Sequence, residues 1–215
     1  MSGRRLALGA AGWLVGIVSS VALSNVAASS SKSRQASEMF LFDFTTANSV
    51  ADWSEMSDVV RTVGMSKAAL TLQKTQVFQR AIFFSLLNPQ PNGAGFAGVR
   101  TSVQLDLTPY RTIKMKARVQ GQNLNYKMVL RHKGETGEPF PTYEKFFTAK
   151  PNEFEEIDLP LSEFVAYYRG KPVADADPLD LSQITAVGLQ VYGGVYSEQK
   201  QSGPGSMEID WIKAL

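Results

Sequence analysis

Residues 112–119 alternate without a slip. Ile113, Met115, Ala117 and Val119 fall on one side, and Lys114, Lys116 and Arg118 on the other. Successive side chains of a strand point to opposite faces, so this run reads as a strand with one buried face. Residues 126–132 repeat the pattern, with Tyr126, Met128 and Leu130 inward and Lys127, Val129 and Arg131 outward. Further strands are predicted at 39–44, 143–149, 154–159, 185–192 and 206–212. A hairpin is predicted from 69–72 into 77–87, where 81–87 is apolar on both faces like a central strand. A single helical turn is expected within 50–56, and a short turn or helix begins at Pro160. With nine or ten short strands and no long amphipathic helix, the chain is expected to fold as one all-β sandwich of jelly-roll character over residues 39–215.

The glycine-rich run 92–103 tests that expectation. Gly93, Gly95 and Gly98 suggest a phosphate loop, but such a loop must open a helix. Here β-branched residues follow, so the run reads instead as a tightly apposed strand with Phe96 packed in the core. Arg100 shares the parity of Phe96 and Gly98, which predicts a buried or paired guanidinium.

Ahead of the sandwich lies a different composition. Residues 1–5 carry Arg4 and Arg5, and 6–28 carry no charge. The segment 1–28 is expected to be a hydrophobic helix, serving as a signal peptide or membrane anchor, with a mitochondrial presequence as the alternative. Residues 29–38 form a serine-rich linker. The net charge of +2 belongs to this end. Without Arg4, Arg5, Lys32 and Arg34, 18 basic residues face 20 acidic ones, which argues against a nucleic-acid-binding body. There is no cysteine, hence no disulfide framework or zinc–thiolate site, and no N-glycosylation sequon.

Catalytic chemistry has little to work with. His132 is the single histidine and no Gly-x-Ser-x-Gly elbow accompanies it, so it reads as structural. Asp175, Asp177 and Asp180 offer oxygen ligands but lack the glycine and terminal glutamate of a calcium loop, and read as a solvated loop. No acid/base carboxylate pair is assigned among Glu144, Glu155, Glu156, Glu208 and Asp210. No catalytic residue, metal or cofactor is expected.

The remaining feature is charge. If 112–119 and 126–132 are hairpin neighbours, Lys114, Lys116, Arg118, Lys127 and Arg131 lie together on one exposed face. Tyr143 and Lys145 of the next strand would border it. Like charges this close repel unless counter-charges or a ligand neutralise them. Two readings stand: a solvated face balanced by Glu144, Glu208 or Asp210, or a binding surface for an acidic partner.

Four segments together resemble the complex I intermediate-associated protein 30 family across 39–215. They are Asp58-Val-Val-Arg-Thr-Val-Gly64-Met-Ser66; Gly93-Ala-Gly-Phe-Ala-Gly-Val-Arg100; Tyr168-Arg-Gly-Lys-Pro-Val-Ala-Asp175 followed by Pro178-Leu-Asp180 and Ile184; and the closing 203–212 with Glu208-Ile-Asp210-Trp-Ile212. Where the family usually has a double glycine, this chain has Val63-Gly64. The resemblance implies a galactose-binding-like β-sandwich and a non-catalytic role as an assembly factor or chaperone, with respiratory complex I assembly as the founding case. Implied partners are proteins, including a membrane-complex assembly intermediate, with membrane attachment through the N-terminal segment if it is uncleaved. The alternative is a secreted or membrane-anchored carbohydrate- or glycolipid-binding module using Tyr143 and Tyr192.

Overall fold

The structure, a computed structural model, describes residues 38–60, 64–91, 95–195 and 198–215. The leader at 1–28 and nearly all of the linker lie outside them, as do residues 61–63 and 92–94 of the two glycine-bearing segments.

The described residues form thirteen strands. In chain order these are β1 (Met39–Asp43), β2 (Ser54–Glu55), β3 (Lys67–Lys74), β4 (Gln79–Leu87), β5 (Phe96–Leu105), β6 (Thr112–Gly121), β7 (Asn125–His132), β8 (Thr142–Thr148), β9 (Glu155–Pro160), β10 (Val165–Tyr168), β11 (Lys171–Pro172), β12 (Ile184–Tyr192) and β13 (Gly203–Ala214). They build an all-β sandwich of two antiparallel sheets. One sheet runs β3-β4-β13-β6-β9, with β1 also paired to β13; the other runs β11-β10-β8-β7-β12-β5-β2. We call them the β13 sheet and the β12 sheet after their interior strands.

The inward faces carry the alternation read from the sequence. Ile113, Met115, Ala117 and Val119 of β6 are fully buried, as are Tyr126, Met128 and Leu130 of β7. They join Phe83, Leu87, Val187, Leu189, Val191, Met207, Ile209 and Ile212 in one core between the sheets. The short pieces β2, β10 and β11 lack any long alternation, which is why sequence reasoning gave fewer strands. Residues 50–56, expected as a helical turn, supply β2 instead. A 3₁₀ turn does follow Pro160, at Leu161–Glu163.

One topological expectation fails. β6 and β7 are not hairpin neighbours. β6 is flanked on both edges by β13 and β9, and β7 by β12 and β8. The connection between them crosses from one sheet to the other. A short polar turn fixes only how far the chain travels, and an arch between sheets needs no more residues than a hairpin.

The segment 58–66 owes its character to a buried carboxylate. Asp58 is fully buried, and its carboxylate accepts from the Ser66 amide (2.9 Å), the Ser66 hydroxyl (2.7 Å) and the Phe96 amide (3.3 Å). Ser66 Oγ in turn accepts from the Asn88 amide (3.0 Å). One acid thereby ties three segments together and satisfies their buried donors. A Cβ on Gly64 would stand 2.0 Å from the Asp58 carbonyl oxygen, so only glycine fits over this knot.

Gly98 is equally constrained. A Cβ there would lie 2.4 Å from Gln190 Cγ and 2.9 Å from the Leu189 carbonyl oxygen. The glycine-rich run thus enters a core strand, as expected, but Phe96 is not in the core. Ala97 and Val99 are; Phe96, Gly98 and Arg100 lie on the outer face.

Candidate functional site

Splitting β6 from β7 splits the expected basic face. Lys114, Lys116 and Arg118 lie outside the β13 sheet, where every one meets a carboxylate. Lys114 Nζ lies 3.3 Å from Glu156 and 3.4 Å from Asp158, and Lys116 Nζ 3.1 Å from Asp210. Arg118 Nη2 and Gln120 Nε2 both donate to Glu208, at 2.9 and 2.7 Å, and Arg80 Nη1 donates to the same carboxylate at 2.7 Å. The Phe154 ring lies under the Arg80 and Arg118 guanidiniums at 4.5 and 4.8 Å. Burial alone would raise the Glu208 pKa, but hydrogen bonds and charge from Arg118 and Arg80 hold it below the ordinary value. These three cations form a neutralised face.

Tyr143 also moves, into the core. It is 3% exposed, its hydroxyl donates to the Asp177 carbonyl (2.6 Å), and its ring packs on His132 at 4.8 Å. Lys145 shares its inward parity and pairs with Glu163 at 2.6 Å. His132 is buried and hydrogen-bonded: Nδ1 accepts from the Asp180 amide at 2.8 Å, which places the ring proton on Nε2, facing Glu135 at 3.4 Å. Asp180 accepts from the Ser182 amide and hydroxyl at the start of the 3₁₀ turn Leu181–Gln183. The loop with three aspartates is therefore held as a turn, and no group of three His, Asp or Glu side chains suited to a metal occurs among the described residues.

Lys127 and Arg131 remain, outside the β12 sheet, and here the surroundings differ. Arg100 and Phe96 of β5, Gln190 and Tyr192 of β12, and Glu144 and Phe146 of β8 point the same way. Although this face turns away from the core, Lys127, Val129, Arg131, Glu144 and Gln190 are all less than a tenth exposed. Lys127 Nζ pairs with Glu144 at 2.7 Å, and Thr142 Oγ1 donates to the same carboxylate at 2.9 Å. Beside this pair, Phe146 meets Tyr167 (5.3 Å) and Tyr192 (5.1 Å) edge to face. Burial pushes both tyrosine hydroxyls to raised pKa values, with nearby Glu144 adding to the shift.

At the other end of the face the β12 positions are small. Ala186 and Gly188 form a floor between Arg100 on one neighbouring strand and Arg131 on the other. A cavity of about 30 Å³ is lined there by Met56, Arg100, Val129, Arg131, Thr142 and Gln190, among others. Sequence reasoning missed the gathering of Arg100, Gln190, Phe146 and Tyr167 with Tyr192. The signal lay in Ala186-x-Gly188-x-Gln190-x-Tyr192, where small and polar residues alternate with the core residues Val187, Leu189 and Val191.

Comparison with known proteins fits this architecture. Family 11 carbohydrate-binding module of Clostridium thermocellum, solved with a β-1,3-1,4-mixed-linked tetrasaccharide, superposes with a TM-score of 0.61 at 16% identity, over 83% of this chain and 95% of that one. The family 30 carbohydrate-binding module of a C. thermocellum cellulosomal cellulase gives 0.54 at 9% identity, over 84% and 98%. At these identities the likeness is one of fold, the galactose-binding-like sandwich. An uncharacterized protein of Schizosaccharomyces pombe is 27% identical over 175 residues, 76% of this chain and 78% of its own length. The sequence profile of complex I intermediate-associated protein 30 matches residues 42–209, from within β1 to within β13, and the chain belongs to that family.

Proposed function

We propose that the chain is a non-catalytic binding module that serves a protein complex during its assembly, with respiratory complex I the first candidate. Family membership carries this reading: the match spans most of the sandwich, residues 42–209, rather than one motif. The outer face of the β12 sheet supports it physically, because arginine and tyrosine gathered in a partly closed cradle are the residues that most often anchor protein interfaces. In this reading the segment 1–28 directs or anchors the chain at the membrane where the complex is built. A C-terminally tagged full chain should enter mitochondria and co-migrate with a subcomplex of complex I on native gels. Secretion of the tagged chain, with no such co-migration, would overturn the proposal.

A second reading, glycan binding, is favoured by one observation. Phe146, Tyr167 and Tyr192 stand beside Lys127, Glu144 and Gln190, so ring faces and hydrogen-bonding groups occur together as saccharide recognition requires. The family 11 module with a similar fold was solved with a β-1,3-1,4-mixed-linked tetrasaccharide. Screening the full chain on a glycan array separates the readings. Selective binding lost in Tyr192→Ala supports the second, and an array without selective binding removes it.

A further inference from the structure

The two arginines of the β12 sheet lie in a setting unlike that of the paired cations. In register, Arg100 lies opposite Gly188 and Arg131 opposite Ala186, so the two flank one interior strand from its two sides. Both arginines line the cavity above this small floor. A Cβ on Gly188 would come within 3.5 Å of Arg100 Cβ and 3.7 Å of Val129 Cβ. Both guanidiniums are held by backbone carbonyls. Arg100 Nη1 donates to Thr136 O at 3.0 Å, and Arg131 Nη1 to Glu135 O at 3.5 Å. Neither forms an ion pair among the described residues. The nearby carboxylates are otherwise engaged, Glu144 by Lys127 and Thr142, and Glu135 by His132.

Two like charges in a nearly closed cradle repel each other, and the Arg131 side chain has little water to screen it. Burial, and then the charge of Arg100, lower the Arg131 pKa, and the charges of Glu135 and Glu144 offset this only in part. An anion between them would remove the conflict. We infer that Arg100 and Arg131 together grip one acidic side-chain carboxylate of a protein partner, entering the cavity over Ala186 and Gly188. Guanidinium forks match a carboxylate in shape as well as charge. The cavity is small, about 30 Å³, which suits a carboxylate-sized group. An Asp or Glu carboxylate reaches such a slot on a stem of one or two methylenes, whereas a uronate carboxylate sits directly on its ring. This inference rests on the protein-binding reading above and names the contact.

The test uses the full chain and an acetylated hexaglutamate peptide, with hexaglutamine, hexagalacturonate and inorganic phosphate as the other probes, followed by titration calorimetry. Hexaglutamate should bind and hexaglutamine should not. Arg100→Gln and Arg131→Gln should each weaken hexaglutamate at least tenfold, whereas Lys116→Gln on the opposite face should leave it within twofold. Arg100→Lys keeps the charge without the fork; it lies on the more open side of the cradle and should also lose several-fold. Thermal melts of each variant show that the fold survives. No hexaglutamate binding, equal losses in Lys116→Gln, or tighter binding of hexagalacturonate or phosphate would each overturn the inference. These titrations need no assembly intermediate, so their failure is distinct from a failure of the wild-type chain to co-migrate with one.

Discussion

The two outer faces of this sandwich are made from similar residues and behave oppositely. On the β13 sheet, Arg80, Lys116 and Arg118 share Glu208 and Asp210, with Phe154 lying against them. On the β12 sheet, Lys127 takes Glu144, and among the described residues the two arginines hydrogen-bond to carbonyl oxygens and form no ion pair. Number of cations is therefore a poor guide to a binding surface. What separates the faces is whether the neighbouring strand supplies a carboxylate or a small residue. β13 places Glu208 opposite Arg118, whereas β12 places Gly188 opposite Arg100.

The contrast predicts unequal costs of mutation. Glu208→Ala should be the most damaging, because Arg80 and Arg118 would be left partly buried without their shared partner. About 3–5 kcal/mol of stability should be lost, read by chemical denaturation. The same carboxylate sets an acid limb. Its folded pKa lies below the ordinary 4.5, so its contribution is complete above that value and is lost as pH falls through the folded pKa. Stability of the wild type should fall in that window, and Glu208→Gln should flatten the fall. An unchanged acid limb would sink this assignment.

Gly98→Ala comes next. The added methyl overlaps Gln190 Cγ and the Leu189 carbonyl, and overpacking of this kind costs roughly 1–3 kcal/mol. A melting temperature equal to wild type would mean that β5 and β12 yield more easily than their contacts imply. Tyr143→Phe should cost less, about 0.5–1.5 kcal/mol for the hydrogen bond to Asp177, without touching ligand binding on either face. Loss of binding in this variant would return Tyr143 to the site from which its burial removes it. The smallest effect is expected from Arg100→Gln, within about 0.5 kcal/mol of wild type in the absence of ligand, and stabilising if anything, since it removes a like charge from beside Arg131. A loss comparable to that of Glu208→Ala would make the arginine pair structural.

The sandwich was legible because its core strands alternate cleanly, and the family because four short segments recur in order. The grouping of the basic residues was not. Alternation reports which side of a strand a lysine occupies, but the Gly121–Asn125 turn gives no sign that it leaves one sheet for the other. Tyr143 illustrates a second limit. Its parity was read together with that of Lys145, and both turn inward, one to the core and the other to Glu163. Asp58 illustrates a third. A segment that marks the family holds a structural knot, while Gly188 and Gln190 lie in none of the four family-like segments.

Both sheets are ordered around late strands. β13 lies between β4 and β6, and β12 between β5 and β7. A chain emerging from its N-terminal side, whether from a ribosome or through a membrane channel, therefore makes the flanks of each sheet before the strand that joins them. Until residues 184–214 arrive, β4, β5, β6 and β7 each hold an unpaired edge beside exposed apolar side chains. A delay before residue 184 leaves two open half-sheets rather than a shortened sandwich, and loss of residues 203–214 removes the middle of a sheet.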